Sequence, residues 1–199
     1  MINHLLSLPF AVKVASQDWH PANHISFASR HPPPDNKPFE SRIAISNPDD
    51  PSAHKETITL WPDHCIANTK GADIIHEIDV SRLDLVVQKG LDHATEMLSA
   101  FGDIFHRSAK DGSANHDLTA YLNERSVQRC FVTGLTGENC VLATAIDAKR
   151  LGFEVFVVAD AVRSVSEGDD GWEGAKRKCE MIGITIIQSD CEILKELTM

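Results

Sequence analysis

The sequence predicts an α/β domain in which helices cover both faces of a mainly parallel sheet, a three-layer sandwich. Short apolar runs without polar alternation recur along the chain, as in strands that are buried on both faces. Segments with helical spacing of apolar residues lie between these runs, which is the order of a parallel α/β sheet. With 199 residues, 42% of them hydrophobic, the chain can bury one core, and we expect a single domain over residues 1–199.

The predicted elements alternate along the chain. The first strand, residues 10–16, is an apolar run that ends just before a group of polar residues. Later strands are predicted at residues 85–88, 129–133, 154–159 and 184–188, and helices at residues 72–78, 116–124, 138–151 and 172–182. Residues 29–59 are rich in Pro, Asp, Asn and Ser and are predicted to form one long surface loop. A solvated insertion is the simpler interpretation of this loop, and a lid or a partner contact is the alternative.

Composition excludes several classes of function. A net charge of -10 argues against a nucleic-acid partner, which would require a basic face. No apolar run has the length needed to cross a bilayer, so we expect no membrane partner. The apolar N-terminus lacks a basic leader and is interrupted by Pro9 and Lys13, unlike a signal peptide. Five cysteines without a regular pairing pattern fit a reducing compartment, and we expect a cytoplasmic protein.

The segment QDWHPANHISFA, residues 17–28, carries the first group of candidate metal ligands. Asp18 and His20 stand two residues apart at the end of the first strand, so both side chains can reach one metal ion from the same side. His64, in the segment WPDHC, is a third candidate. A solvated turn is the more common fate of an isolated Asp-x-His pair, and His24 and His93 are interpreted as structural polar residues.

Cys140 is the candidate nucleophile. It follows a buried strand and a turn marked by Gly134 and Gly137, and it opens the predicted helix 138–151. Unpaired N–H groups at a helix start lower the pKa of a thiol, so we expect Cys140 to be the most readily alkylated of the five cysteines. The alternative, a small buried apolar residue, is assigned to Cys130, Cys179 and Cys191.

These motifs together resemble those of the nicotinamidases, a branch of the isochorismatase-like cysteine hydrolases. QDWHPANHISFA, LWPDHC, the lysine of VVQKG and GLTGENCVLATAIDA follow one another in the family's order and spacing, from about residue 5 to residue 187. The motifs look like those of the yeast-like eukaryotic branch. The resemblance implies an isochorismatase-like fold and hydrolysis of nicotinamide to nicotinate and ammonia in NAD salvage, through a cysteine thioester. It also implies one divalent metal, usually zinc, with iron or manganese as alternatives.

The resemblance assigns a role to individual residues. Asp18, His20 and His64 match the metal ligands, Lys89 the catalytic lysine, Cys140 the nucleophile, and Trp61 an aromatic residue against the pyridine ring. The N–H groups of Thr136 and Cys140 match the oxyanion hole, next to a cis peptide bond between Leu135 and Thr136. The common alternative for Lys89 alone is a lysine whose ammonium reaches solvent at a strand end.

One family motif has no counterpart in the sequence. The family's first strand carries Asp-x-Gln-x-Asp-Phe, whose first aspartate moves the proton in the Asp, Lys, Cys triad. Here the segment MINHLLSL resembles the end of the family's first helix, and no residue before Asp18 can supply that aspartate. We therefore expect the chain as printed to be poorly stable and nearly inactive on nicotinamide, unless Asp63 or Asp92 has taken over proton transfer.

Three functions are compatible with this pattern. The first is a nicotinamidase, with the missing strand supplied from sequence outside the printed chain. The second is a catalytically impaired protein that binds a metal or nicotinamide. The third is another amidohydrolase of the isochorismatase-like superfamily, against which the metal-ligand set argues. The sequence leaves the metal's identity, the substrate range and the oligomeric state open, and a homo-oligomer is compatible with it.

Overall fold

The computed structural model describes residues 1–52, 54–107 and 112–198. The helices are α1 (Ile2–Ser7), α2 (Leu118–Glu124), α3 (Leu142–Arg150), α4 (Trp172–Met181) and α5 (Glu192–Lys195). The strands are β1 (Val14–Asp18), β2 (Arg42–Ile45), β3 (Glu56–Thr59), β4 (Leu85–Lys89), β5 (Arg129–Leu135), β6 (Glu154–Arg163) and β7 (Thr185–Ile187).

The strands of the core are parallel, as predicted. β1 pairs with β4, and β5, β6 and β7 form a second group in that order. Successive side chains of a strand point to opposite faces, and β6 is apolar on both faces. Val155 and Val157 face one core, whereas Phe156 and Val158 face another.

Helices cover both of these faces. Leu5 of α1 and Leu194 of α5 pack on the side of Phe156, whereas α2, α3 and α4 contribute the other core through residues that include Leu122, Ala145 and Cys179. The predicted three-layer α/β architecture is therefore confirmed. Among the described residues, no helix has both the length and the apolar character needed to cross a membrane.

Most predicted elements are present, with shifted ends. The first strand is Val14–Asp18 rather than residues 10–16, so Asp18 itself is the last strand residue. The helix predicted at residues 72–78 is wrong, because only a short 3-10 turn, Lys70–Ala72, forms there. This segment buries Ala72 but exposes Ile75, so it has no continuous apolar face to pack against the core.

The prediction of one irregular loop at residues 29–59 is also wrong in part. Within it, β2 and β3 form an antiparallel pair that buries Ile45 and Ile58. The backbone N–H of Phe39 donates to the carbonyl of Leu60 at 2.7 Å. The segment before β2 is thereby tied to the segment that leads from β3 into Trp61 and His64.

Two of the outer strands in the parallel groups, β1 and β5, lie near one another without a described strand between them. Within the described residues, β1 is paired only with β4, and β5 only with β6 among the strands. The edges of β1 and β5 share both cores, since Val14 and Val132 pack against one apolar cluster, and Phe10 and Phe131, whose rings lie 5.2 Å apart, pack against the other. Unpaired backbone N–H and C=O groups at such edges weaken a sheet.

An N-terminal extension that adds a parallel strand between β1 and β5 is expected to stabilise the protein. Paired edges and a covered core should raise the melting temperature by at least about 4 °C, since 1 kcal/mol corresponds to about 2–4 °C in a domain of this size. Circular dichroism melts would measure the change. A Gly/Ser extension of equal length is the control, and equal melting temperatures for the two extensions would contradict the prediction.

Candidate active site

Three strand ends place the candidate residues at one edge of the sheet. Asp18 is the last residue of β1 and Lys89 the last residue of β4, and the two are direct partners in the parallel register. Cys140 follows β5 in a π-helical turn, Gly137–Val141, that leads into α3. The carboxyl ends of parallel strands are the usual place for a binding site in an α/β sheet.

The ammonium group of Lys89 connects these three positions. Its Nζ lies 2.6 Å from Oδ1 of Asp18 and 3.6 Å from Sγ of Cys140, and it donates to the carbonyl of Met97 at 2.7 Å. Lys89 is only 2% exposed. Burial lowers the pKa of Lys89, but the negative charges of Asp18 and Cys140 outweigh it, and the net pKa is raised. Lys89 is therefore a permanent positive charge beside the thiol.

The expectation that a helix start lowers the pKa of Cys140 is wrong. Burial raises the pKa of the Cys140 thiol, and the nearby ammonium of Lys89 opposes that rise without cancelling it. The predicted helix 138–151 is divided, so that Cys140 lies in the π-helical turn, before the first residue of α3, Leu142. The reactivity of Cys140 thus depends on Lys89 more than on the helix dipole.

The three predicted metal ligands lie together. One ligand atom each from Asp18, His20 and His64 falls within 4.8 Å of the others. Nδ1 of His20 is 3.1 Å from the carbonyl of Gly90, and Nδ1 of His64 is 2.8 Å from the carbonyl of Pro62. A carbonyl at Nδ1 fixes that nitrogen as the donor and leaves Nε2 free, which is how histidines are oriented around metals.

The protonation states of these groups also fit a divalent cation. Burial lowers the pKa of His20 to about 4, so its imidazole is neutral at physiological pH, as a ligand must be. Burial raises the pKa of Asp18, but Lys89 and His20 outweigh burial and the net pKa is lowered, which leaves a carboxylate. Two imidazoles and a carboxylate suit zinc, iron or manganese.

Aromatic side chains border this cluster. Trp61 lies 6.2 Å from His64 between ring centroids, and its backbone N–H donates to the carbonyl of Ser26. The ring of Phe39 meets Trp61 edge to face at 5.3 Å and is largely exposed. Sequence reasoning proposed Trp61 for substrate contact but missed Phe39, which carries no motif signal.

The turn after β5 has the conformation that the resemblance implies. The peptide bond between Leu135 and Thr136 is cis. The side chain of Thr136 accepts a hydrogen bond from Asn139 at 3.0 Å. The oxyanion-hole role of the Thr136 and Cys140 N–H groups stays a prediction.

The two acids considered as substitutes for the absent aspartate are engaged elsewhere. Asp63 accepts a hydrogen bond from Ser29 and lies near Arg30, and Asp92 lies 3.6 Å from the guanidinium of Arg107. Neither contact is with Lys89 or Cys140. The structure therefore gives no support to a transfer of the proton shuttle to these positions.

Two residues outside the predicted set belong to the site. His24, interpreted as structural, is fully buried and its ring lies 4.2 Å from that of His20. Glu96 is a buried carboxyl group whose neighbours include Lys89 and Asp18, and burial raises its pKa to about 7. Glu96 was missed because it stands in an irregular segment with no periodic or motif signal.

Comparison with known proteins adds to this geometry. The sequence profile of the isochorismatase domain matches residues 27–190. The chain belongs to the isochorismatase domain family. This domain is 32% identical to the nicotinamidase of Saccharomyces cerevisiae over 179 residues, covering 87% of the chain and 78% of the yeast protein. It is 33% identical to the nicotinamidase of Acinetobacter baylyi over 156 residues, covering 78% of the chain and 65% of that protein.

Solved structures share the fold of this isochorismatase domain. The yeast nicotinamidase bound to the inhibitor nicotinaldehyde gives a TM-score of 0.78 at 28% identity, covering 88% of the chain and 79% of the yeast structure. The pyrazinamidase of Pyrococcus horikoshii in complex with zinc gives a TM-score of 0.64 at 31% identity, covering 89% of the chain and 75% of the pyrazinamidase structure. The predicted isochorismatase-like fold is confirmed, although the chain spans only 65% of the length of the Acinetobacter baylyi relative.

We expect about one divalent ion per chain, held by Asp18, His20 and His64. Replacing both histidines, as His20→Ala with His64→Ala, should abolish binding because a single carboxylate cannot hold the ion alone. Mass-spectrometric metal analysis after dialysis is the measurement. A His76→Ala, His93→Ala pair, which removes two exposed imidazoles, is the matched control. Full occupancy in the first pair would disprove the assignment.

Proposed function

We propose that the protein is a nicotinamidase that hydrolyses nicotinamide to nicotinate and ammonia in NAD salvage. The observation that carries the proposal is the contact between Nζ of Lys89 and Sγ of Cys140, 3.6 Å, beside the Asp18, His20 and His64 cluster. A thiol next to a fixed cation is a nucleophile for acyl transfer. The relatives named nicotinamidases in the comparisons support nicotinamide as the substrate.

The metal proposed for the site is zinc, with iron and manganese as alternatives. The P. horikoshii pyrazinamidase was solved in complex with zinc, and two imidazoles with one carboxylate form a common catalytic zinc set. When bound, the ion would act as a Lewis acid that orients the pyridine nitrogen of the substrate and water. Nε2 of each histidine and the carboxylate of Asp18 would hold it.

The chemistry proceeds through Cys140 in two stages. Its sulfur bonds to the amide carbon of nicotinamide, and the carbonyl oxygen becomes an oxyanion that the N–H groups of Thr136 and Cys140 would stabilise by about 3 kcal/mol each. The C–N bond then breaks, and the thiol's proton leaves with the nitrogen as ammonia. Water adds to the thioester, the C–S bond breaks, and nicotinate departs while the thiol regains a proton.

Lys89 and Trp61 have supporting tasks in this scheme. The ammonium of Lys89 favours the thiolate of Cys140 and so reduces, without cancelling, the rise in the thiol's pKa that burial causes. Trp61, next to His64, would pack against the pyridine ring and limit its orientations. The side chains of Trp61 and Phe39 lie at the border of the metal cluster, where the pyridine ring of the substrate would enter.

We also propose a compartment and an assembly for the protein. All five cysteines are free, which fits a reducing compartment such as the cytoplasm, with the nucleus or peroxisome as alternatives. A homo-oligomer is compatible with the open strand edges. Size-exclusion chromatography with light scattering would determine the assembly.

Ammonia release from nicotinamide tests the proposed function. We expect release to be weak in the chain as printed and to rise when an N-terminal extension supplies a strand with Asp-x-Gln-x-Asp-Phe. Positioned acid and base groups contribute about 10² to 10⁴ in rate, so the rise should have this size. Cys140→Ser in the extended protein should abolish release.

The matched control carries asparagine in place of the first aspartate of the same extension. It restores the strand but not the proton shuttle, so it should recover the melting temperature and not the rate. No ammonia release from either extended protein would contradict the proposal and favour a non-catalytic binding protein. Release from other carboxamides but not from nicotinamide would favour a different amidohydrolase.

A further inference from the structure

Glu96 is a buried acid that the proposed mechanism does not use. It is 4% exposed, and Ile104 donates its backbone N–H to the Glu96 carbonyl, which fixes the backbone here. The Glu96 Oε1 atom accepts the backbone N–H of Met97 at 2.9 Å. The carbonyl of the same Met97 residue accepts from Nζ of Lys89 at 2.7 Å. Glu96 therefore binds the N–H of Met97, and Lys89 binds the carbonyl of the same residue.

Each of the three N–H donors of the Lys89 ammonium has a partner in this arrangement. An ammonium carries three N–H donors, and Lys89 has three partners: Asp18 at 2.6 Å, Met97 at 2.7 Å and Cys140 at 3.6 Å. The first two contacts are short, and they determine where the third N–H points. A shift of the Met97 carbonyl would therefore turn the ammonium away from the sulfur.

The far side of Glu96 is fixed as well. The Ser26 side chain hydrogen-bonds the Glu96 carboxyl group, and Ser26 Oγ lies 2.7 Å from Nδ1 of His24. The ring of His24 in turn lies against that of His20, tilted by 35°. A chain of contacts thus runs from the metal-ligand segment through Ser26 and Glu96 to the residue that anchors Lys89. A buried carboxyl group that is hydrogen-bonded on both sides orders its neighbours.

We infer that Glu96 is a positioning residue for the nucleophile: by accepting the Met97 N–H it fixes the Met97 carbonyl, which holds the Lys89 ammonium on Cys140. The inference rests on the proposed function for its catalytic meaning, and on the contacts alone for its effect on the thiol. The charged groups that face Glu96 are Lys89 and Asp18, and the Cys140 thiol is the titratable group that faces it. Ionised Glu96 disfavours the thiolate, so its value to the site lies in its hydrogen bond rather than its charge.

Three substitutions separate the hydrogen bond from the charge. Glu96→Gln keeps an acceptor oxygen at the same reach and removes the charge. Glu96→Leu keeps the approximate volume and removes the acceptor. Glu96→Asp keeps the charge but withdraws the acceptor by one methylene. Glu173→Leu, at an exposed glutamate paired with Lys176 on α4, is the matched control.

The measurement is the rate of Cys140 alkylation by iodoacetamide as a function of pH, mapped by mass spectrometry, with the other four cysteines as internal references. We expect Glu96→Leu and Glu96→Asp to move the midpoint of the Cys140 profile to higher pH and to lower its rate at about pH 8 at least tenfold. Glu96→Gln should alkylate Cys140 at or above the rate of the unmodified protein. Glu173→Leu should change neither the rate nor the midpoint.

Two results would overturn the inference. One is a folded Glu96→Leu variant, verified by circular dichroism, whose Cys140 profile matches that of the unmodified protein. The other is a Glu96→Gln variant that is impaired while Glu96→Asp is not, which would assign the effect to charge. If Glu96→Leu does not fold, the comparison of Cys140 alkylation rates between Glu96→Gln and Glu96→Asp decides alone, and the inference requires the faster rate in Glu96→Gln. Ammonia release is assayed separately, so its absence would count against nicotinamidase function and not against the role of Glu96.

Discussion

The site depends on one buried positive charge, the ammonium of Lys89. An isolated ammonium in an apolar interior costs several kcal/mol, so it persists only where charged and hydrogen-bonding partners surround it. Here the carboxylate of Asp18, the carbonyl of Met97 and the sulfur of Cys140 fill its three donors. The same contacts that stabilise the buried Lys89 ammonium hold its positive charge next to the sulfur of Cys140.

The fold brings these partners together from distant parts of the sequence. β1 and β4 are parallel and in register, so their last residues, Asp18 and Lys89, end side by side. β5 ends at the same edge and leads through the π-helical turn to Cys140. Asp18 thereby contacts Lys89 through one oxygen and approaches His20 through the other, at 3.9 Å. The metal cluster and the lysine beside the nucleophile therefore share one carboxylate, which links the two parts of the site.

The sequence predicted the parts of this site that stand on regular elements. The ends of apolar strands located Asp18 and Lys89, and the strand, glycine turn and helix located Cys140. Prediction from the sequence failed for the features of the site that depend on tertiary contacts. Nothing local indicates that Glu96 would lie under Lys89, because the intervening segment is irregular. The pKa of Cys140 could not be predicted either, since burial of the thiol depends on packing rather than on its place before a helix.

Direct titration of the Cys140 thiol tests the dependence on Lys89 most closely. Ultraviolet absorbance of the thiolate would be followed with pH in the unmodified protein and in Lys89→Met, each corrected by its Cys140→Ser counterpart. A positive charge at 3.6 Å from sulfur, at an effective dielectric constant of about 20, contributes several kcal/mol, so we predict that Lys89→Met raises the Cys140 pKa by about 1 to 3 units. An unchanged pKa in a folded Lys89→Met protein would contradict the account.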